Sequence, residues 1–108
     1  MKVANIEQLN LNDSRVLGIS MCSGEIRFNV DYVEDYDSGK SRQCFLVFEG
    51  CRSVASKVNL DVCWPDSILS ATETPDGEWR NVSLEMNTSA SVFKICCKTV
   101  RLVPVCAA

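Results

Sequence analysis

Cys44-Phe45-Leu46-Val47-Phe48-Glu49-Gly50-Cys51-Arg52-Ser53-Val54-Ala55-Ser56-Lys57-Val58-Asn59-Leu60 is the segment around which the rest of the chain can be arranged. Its first five residues are apolar on both faces of a two-residue period, the pattern of a strand covered on both sides. Glu49-Gly50 interrupts the run. Beyond it, Val54, Ser56, Val58, Leu60 and Val62 alternate with Ser53, Ala55, Lys57, Asn59 and Asp61. That alternation predicts a half-buried strand returning beside the first as a hairpin, with Gly50 where a Cβ would hinder the turn.

Strand patterns continue in both directions. Arg15–Cys22 and Glu25–Val33 flank Ser23-Gly24, a tight-turn pair, and predict a second hairpin. Ile26, Phe28, Val30 and Tyr32 occupy one face of its second strand. Glu34-Asp35-Tyr36-Asp37-Ser38-Gly39-Lys40 reads as an acidic loop, and Asn5–Leu11 as one helical turn or an extended arm. Ser67–Glu73, Trp79–Asn87, Ser91–Cys97 and Val100–Val105 complete eight strands, with a turn at Pro75-Asp76-Gly77. Pro104 cannot donate a ladder hydrogen bond, so the last strand ends there or lies at an edge. The expected fold is a single all-β domain over residues 1–108, an antiparallel sandwich or flattened barrel. Its expected core includes Leu17, Ile19, Phe28, Phe48, Val54, Val58, Leu60, Leu84 and Phe93.

An internal repeat is visible. Gly50-Cys51-Arg52-Ser53-Val54 resembles Cys96-Cys97-Lys98-Thr99-Val100, and Asp13-Ser14 resembles Asp66-Ser67, each pair opening a strand. The offsets are 46 and 53 residues, and the acidic loop accounts for the difference. A true repeat predicts two similar four-stranded halves packed face to face.

Composition narrows the chemistry. The chain has 108 residues, 46% of them hydrophobic and 23% charged, with a net charge of −3 and no histidine. Without an imidazole, Ser-His-Asp and Cys-His nucleophiles and His-ligated catalytic zinc are excluded. Neither a Cys-x-x-Cys pair nor a glycine-rich phosphate loop is present. Asp35-x-Asp37-x-Gly39 starts like a calcium loop, but the position that needs a glutamate is Leu46. No catalytic residue, metal site or cofactor is expected. The acidic balance argues against nucleic acid and anionic membranes. No apolar run matches a membrane helix or a signal peptide, which points to the cytoplasm and reduced cysteines.

Two places stand out as candidate binding residues. Asp31, Tyr32, Glu34, Asp35, Tyr36 and Asp37 set two amphipathic rings among four carboxylates, a composition that attracts a basic protein. Trp64, in Trp64-Pro65-Asp66-Ser67, is the second, either a lid on the core or part of a binding face. Asp13-Ser14 and Asp66-Ser67 are expected to bond nearby backbone donors at strand entries.

Asn12-Asp13-Ser14-Arg15-Val16-Leu17, Phe48-Glu49-Gly50-Cys51-Arg52-Ser53-Val54, Val58-Asn59-Leu60 and Pro65-Asp66-Ser67-Ile68-Leu69-Ser70-Ala71 together resemble a group of small β-rich bacterial proteins. Members carry His-Asp-Ser near the start and an Asp/Glu-Ser-Ile-Leu segment; Asn12 stands here in place of that His. Similar proteins are grouped with the immunity proteins of toxin systems or travel in mobile gene cassettes. The resemblance implies a β-rich fold and no defined activity, and an immunity-like inhibitor is one form a binding module of this kind takes. The residues and the resemblance together favour a non-catalytic binding module for a basic partner. The alternatives are a small-ligand binding sandwich and an enzyme built from dispersed Asp, Glu or Cys groups. Apolar residues on both faces of Ser91–Cys97 and over much of Val100–Val105 further predict a homodimer.

Overall fold

A computed structural model describes residues 2–3, 6–59 and 65–105. Its strands are β1 (Lys2–Val3), β2 (Arg15–Cys22), β3 (Glu25–Asp35), β4 (Lys40–Glu49), β5 (Ser53–Lys57), β6 (Asp66–Asp76), β7 (Trp79–Met86), β8 (Val92–Cys97) and β9 (Thr99–Pro104). A 3-10 turn at Ile6–Gln8 is the one helical element among the described residues. The strands run β1-β9-β4-β3-β2-β6-β7-β8-β5 in one open antiparallel sheet. Apart from the short β1, these are the eight strands expected from the sequence, in an all-β fold.

The hairpin expected over Cys44–Leu60 does not form. β4 pairs with β3 and β9, whereas β5 pairs with β8. At Glu49-Gly50 the chain therefore leaves one half of the sheet and joins the other. Gly50 has φ 64°, and a Cβ there would lie 3.1 Å from Lys98 Cβ. The local reading of a sharp change of direction was sound, but the strand beyond it belongs elsewhere. Leu60 lies outside the described residues.

This crossing gives the internal repeat its form. β2-β3-β4 and β6-β7-β8 are two antiparallel meanders, and each receives the fourth strand of the other: β9 lies beside β4, and β5 beside β8. The meanders meet where Arg15 faces Ser67 and Val16 faces Asp66. A pseudo-two-fold runs through the Arg15–Ser67 pair. It matches the bulge between Val16 and Gly18 with the one between Ile68 and Ser70. The strand-opening match is accordingly Ser14 with Asp66, one residue off the match of identical letters. Ser14 Oγ accepts the Val33 N–H at 3.1 Å, and Asp66 Oδ2 accepts the Ser89 N–H at 2.8 Å, at equivalent places.

One core serves both halves. Phe28 on β3 meets Phe48 edge-on at 5.6 Å and Phe93 of the other half at 5.3 Å. Ile26, Val30, Leu46, Ile68, Val82, Leu84, Met86, Ile95 and Val100 pack around these rings. The N-terminal arm adds Ile6 and Leu11, whose burial no strand pattern announces.

Four expected core residues are exposed instead. Leu17 occupies the β2 bulge, where the extra residue turns outward, as Leu69 does in β6. Ile19 faces the side of Phe28, but beyond Val16 the β2 edge is not covered by β6, and 38% of its surface stays open. Val54 is exposed because β5 is an edge strand, and Val58 is exposed just beyond its end. Conversely, Phe93, Ile95, Cys96, Cys97 and Val100 are buried within the chain itself. Val92, Leu102, Val103 and Val105 of the same region stay partly exposed.

Candidate functional site

The acidic segment is a structured hairpin rather than a loop. β3 continues to Asp35, and β4 begins at Lys40, so Asp31 faces Gln43, Tyr32 faces Arg42 and Asp35 faces Lys40. Asp35 shapes the connecting turn. Its Oδ1 accepts the Asp37 N–H at 3.0 Å and its Oδ2 accepts the Ser38 hydroxyl at 3.0 Å, while Gly39 supplies a positive φ of 71°.

Both tyrosines tie this hairpin to the segment that precedes β2. Tyr32 Oη accepts the Asn10 N–H at 3.0 Å, and Tyr36 Oη donates to the Asn12 carbonyl at 2.7 Å. The Asn10 side-chain amide also reaches the Glu34 carbonyl. Partial burial, then the nearby Asp13 charge, raises the Tyr36 pKa, which keeps its hydroxyl protonated as a donor. Six of the residues singled out in the sequence thus come together at one end of the fold. Their roles divide: Tyr32, Tyr36 and Asp35 hold the shape, and Glu34 and Asp37 are exposed and make no ion pair among the described residues. Arg15, opposite Asp31 on β2, supplies a neighbouring positive charge. Trp64 lies outside the described residues.

The other buried or constrained polar groups serve the fold. Burial alone would raise the Asp66 pKa. The Ser89, Thr88 and Ser67 N–H groups and the Ser89 hydroxyl more than offset it, so the carboxyl is held below its usual range. Glu73 receives a two-pronged contact from Arg80, at 2.6 and 2.8 Å, together with the Ile6 N–H. Against the opposing effect of burial, these contacts lower its pKa. Trp79 has two cations over its ring, Arg52 at 4.6 Å from the ring centre and Lys98 at 5.0 Å. Arg52 and Lys98 follow the two chain crossings, so the cluster links them through one ring.

The described cysteines are free thiols. Burial, then the adjacent Cys51, pushes the Cys97 thiol up to about 12, and burial raises Cys44 and Cys51 as well. Such thiols are poor nucleophiles. Among the described residues no group of three or more Cys, Asp or Glu side chains could hold a metal ion, and no helix is long and apolar enough to cross a membrane.

Sequence reasoning missed a second polar surface, the outward face of β5-β8-β7. Lys94 lies there between Ala55 and Ser83. Its signal was present as small or polar residues at alternate positions of β5 (Ser53, Ala55), β6 (Thr72, Thr74) and β7 (Asn81, Ser83). It became readable only once β5 was known to pair with β8.

No protein-family model matches this chain, and no curated protein sequence is significantly similar to it.

Proposed function

We propose that the protein is a non-catalytic binding module, immunity-like in character, whose Asp31–Asp37 hairpin engages a basic protein. One observation carries this reading. The acidic residues sit on a hairpin fixed by Tyr32, Tyr36 and Asp35, with Glu34 and Asp37 exposed at the surface. Presentation on a fixed element reduces the ordering cost of binding, and exposed carboxylates steer a cationic surface toward it. The raised thiol pKa values of Cys44, Cys51 and Cys97 and the missing imidazole support a reading that needs no nucleophile.

The test is capture from cell lysate at low and high salt, with identification of retained proteins by mass, followed by affinity measurement on the purified partner. Glu34→Gln combined with Asp37→Asn should weaken binding roughly tenfold and flatten its salt dependence. Asp35 is left intact because its carboxylate builds the turn. Equal affinity and equal salt dependence for the double variant would remove the hairpin from the interface.

A further inference from the structure

The pseudo-two-fold relates two outward sheet faces that are finished differently. On β9-β4-β3, the central Val47 lies between Arg101 and Arg27 and is 1% exposed. Arg27 extends over the Phe45 ring at 5.0 Å, and Arg101 bonds Glu49 at 2.7 Å, so long side chains roof that face. On β5-β8-β7, Lys94 holds the position equivalent to Val47, and its neighbours are Ala55 and Ser83. The roof is absent there. Two adjoining hollows of about 380 and 440 Å³ share Ala55, Ser83 and Lys94.

The lining has a definite chemistry. Ser53, Thr72, Thr74 and Ser83 contribute hydroxyls, and Asn81 contributes an amide. Lys94 makes no ion pair among the described residues. Lys57 lines the far end of the second hollow with Glu85. Lys57 and Lys94 are diagonal neighbours across β5 and β8, about 7–8 Å apart along the backbone. With Glu85 counted, the hollow keeps an excess of positive charge on a chain whose net charge is −3.

We infer that this hollow binds a small hydroxylated ligand bearing one oxyanion, a phosphate monoester or a carboxylate, with Lys94 as its counter-charge. The ammonium group supplies a charge-assisted hydrogen bond, the surrounding hydroxyls can bond the hydroxyls of a polyol body, and the largely apolar remainder of the lining can take its C–H faces. The face is separate from the acidic hairpin, so the inference stands or falls independently of the proposed partner.

The experiment is amide chemical-shift mapping of the full chain with inorganic phosphate, a hexose 6-phosphate, a hexuronate and an uncharged hexose. The hexose phosphate or the hexuronate should shift residues 53–55, 81–83 and 94–96 in a saturable way, and which of the two binds tighter identifies the oxyanion. Lys94→Met should weaken that binding at least tenfold. Ala55→Arg, which supplies the roof that Arg101 provides on the other face, should abolish it. Lys40→Met, on the acidic hairpin, should leave it unchanged. Lys94 and Ala55 are exposed, and an unchanged spectrum away from the hollow verifies the fold of each variant. Absence of shifts in the hollow with every probe, equal binding of the uncharged hexose, or undiminished binding by Lys94→Met would each overturn the inference.

Discussion

The two halves share a backbone plan but divide the work of stability and surface differently. In β2-β3-β4, completed by β9, the outward side chains close over Val47, and the strand-opening hydrogen bond comes from the neutral Ser14 hydroxyl. In β6-β7-β8, completed by β5, the outward face stays hollow, and the equivalent bond comes from the ionised Asp66. That second half also holds the Glu73–Arg80 pair, of which only 10% and 17% of the side-chain surfaces are exposed. Backbone pairing fixes which positions correspond. Side-chain length and charge at those positions then decide whether a face is sealed or available.

The largest effect should come from the ring that joins the halves. Phe28→Ala removes contacts to Phe48 and Phe93 together and should cost about 3–5 kcal/mol in denaturant unfolding. A loss confined to one half, with the other still protected from amide exchange, would show that the halves are separate folding units.

Next comes a charge pair found in one half only. Glu73→Gln leaves Arg80 half-buried without its carboxylate and should cost ~3 kcal/mol. Glu49→Gln, which touches the more exposed Arg101 pair on the sealed face, should cost ~1 kcal/mol or less. Equal costs would erase the distinction drawn between the two halves.

The smallest effect separates Ser14 from Asp66 by acid. The Asp66 and Glu73 pKa values are lowered in the folded state, so their contribution is full above the unfolded carboxyl range, near pH 4, and is lost as pH falls through the folded values. Below about pH 4, the Thr88 and Ser89 amides should therefore lose exchange protection, relative to the intrinsic rate at each pH, before Val33 does. Simultaneous loss at the three sites would mean that the ionised cap confers no separate sensitivity.

Much of this architecture was legible in advance because strands advertise themselves by period. Ile26, Phe28 and Val30 declare both their strand and its buried face, and Ser23-Gly24 declares the turn before it. Even the repeat was visible, because Arg52-Ser53-Val54 and Lys98-Thr99-Val100 serve matching crossings. Strand pairing was not legible. Nothing local at Glu49-Gly50 distinguishes a hairpin from a crossing, since both need the same sharp turn; the partner of β5 lies some forty residues away along the chain. Bulges were equally hidden, so Leu17 kept its place in a simple alternation that the backbone breaks. At the candidate site, the carboxylates of the hairpin were evident by composition. The structural use of Tyr32 and Tyr36 depended on Asn10 and Asn12, which no spacing rule connects to them.

The exchange of fourth strands underlies all of these comparisons, and inter-strand NOE contacts between backbone protons test it most directly. The account predicts contacts of Phe48 with Val100 and of Val54 with Ile95, joining β9 to β4 and β5 to β8. Contacts running instead between β4 and β5, as a hairpin over Cys44–Leu60 would produce, would contradict it.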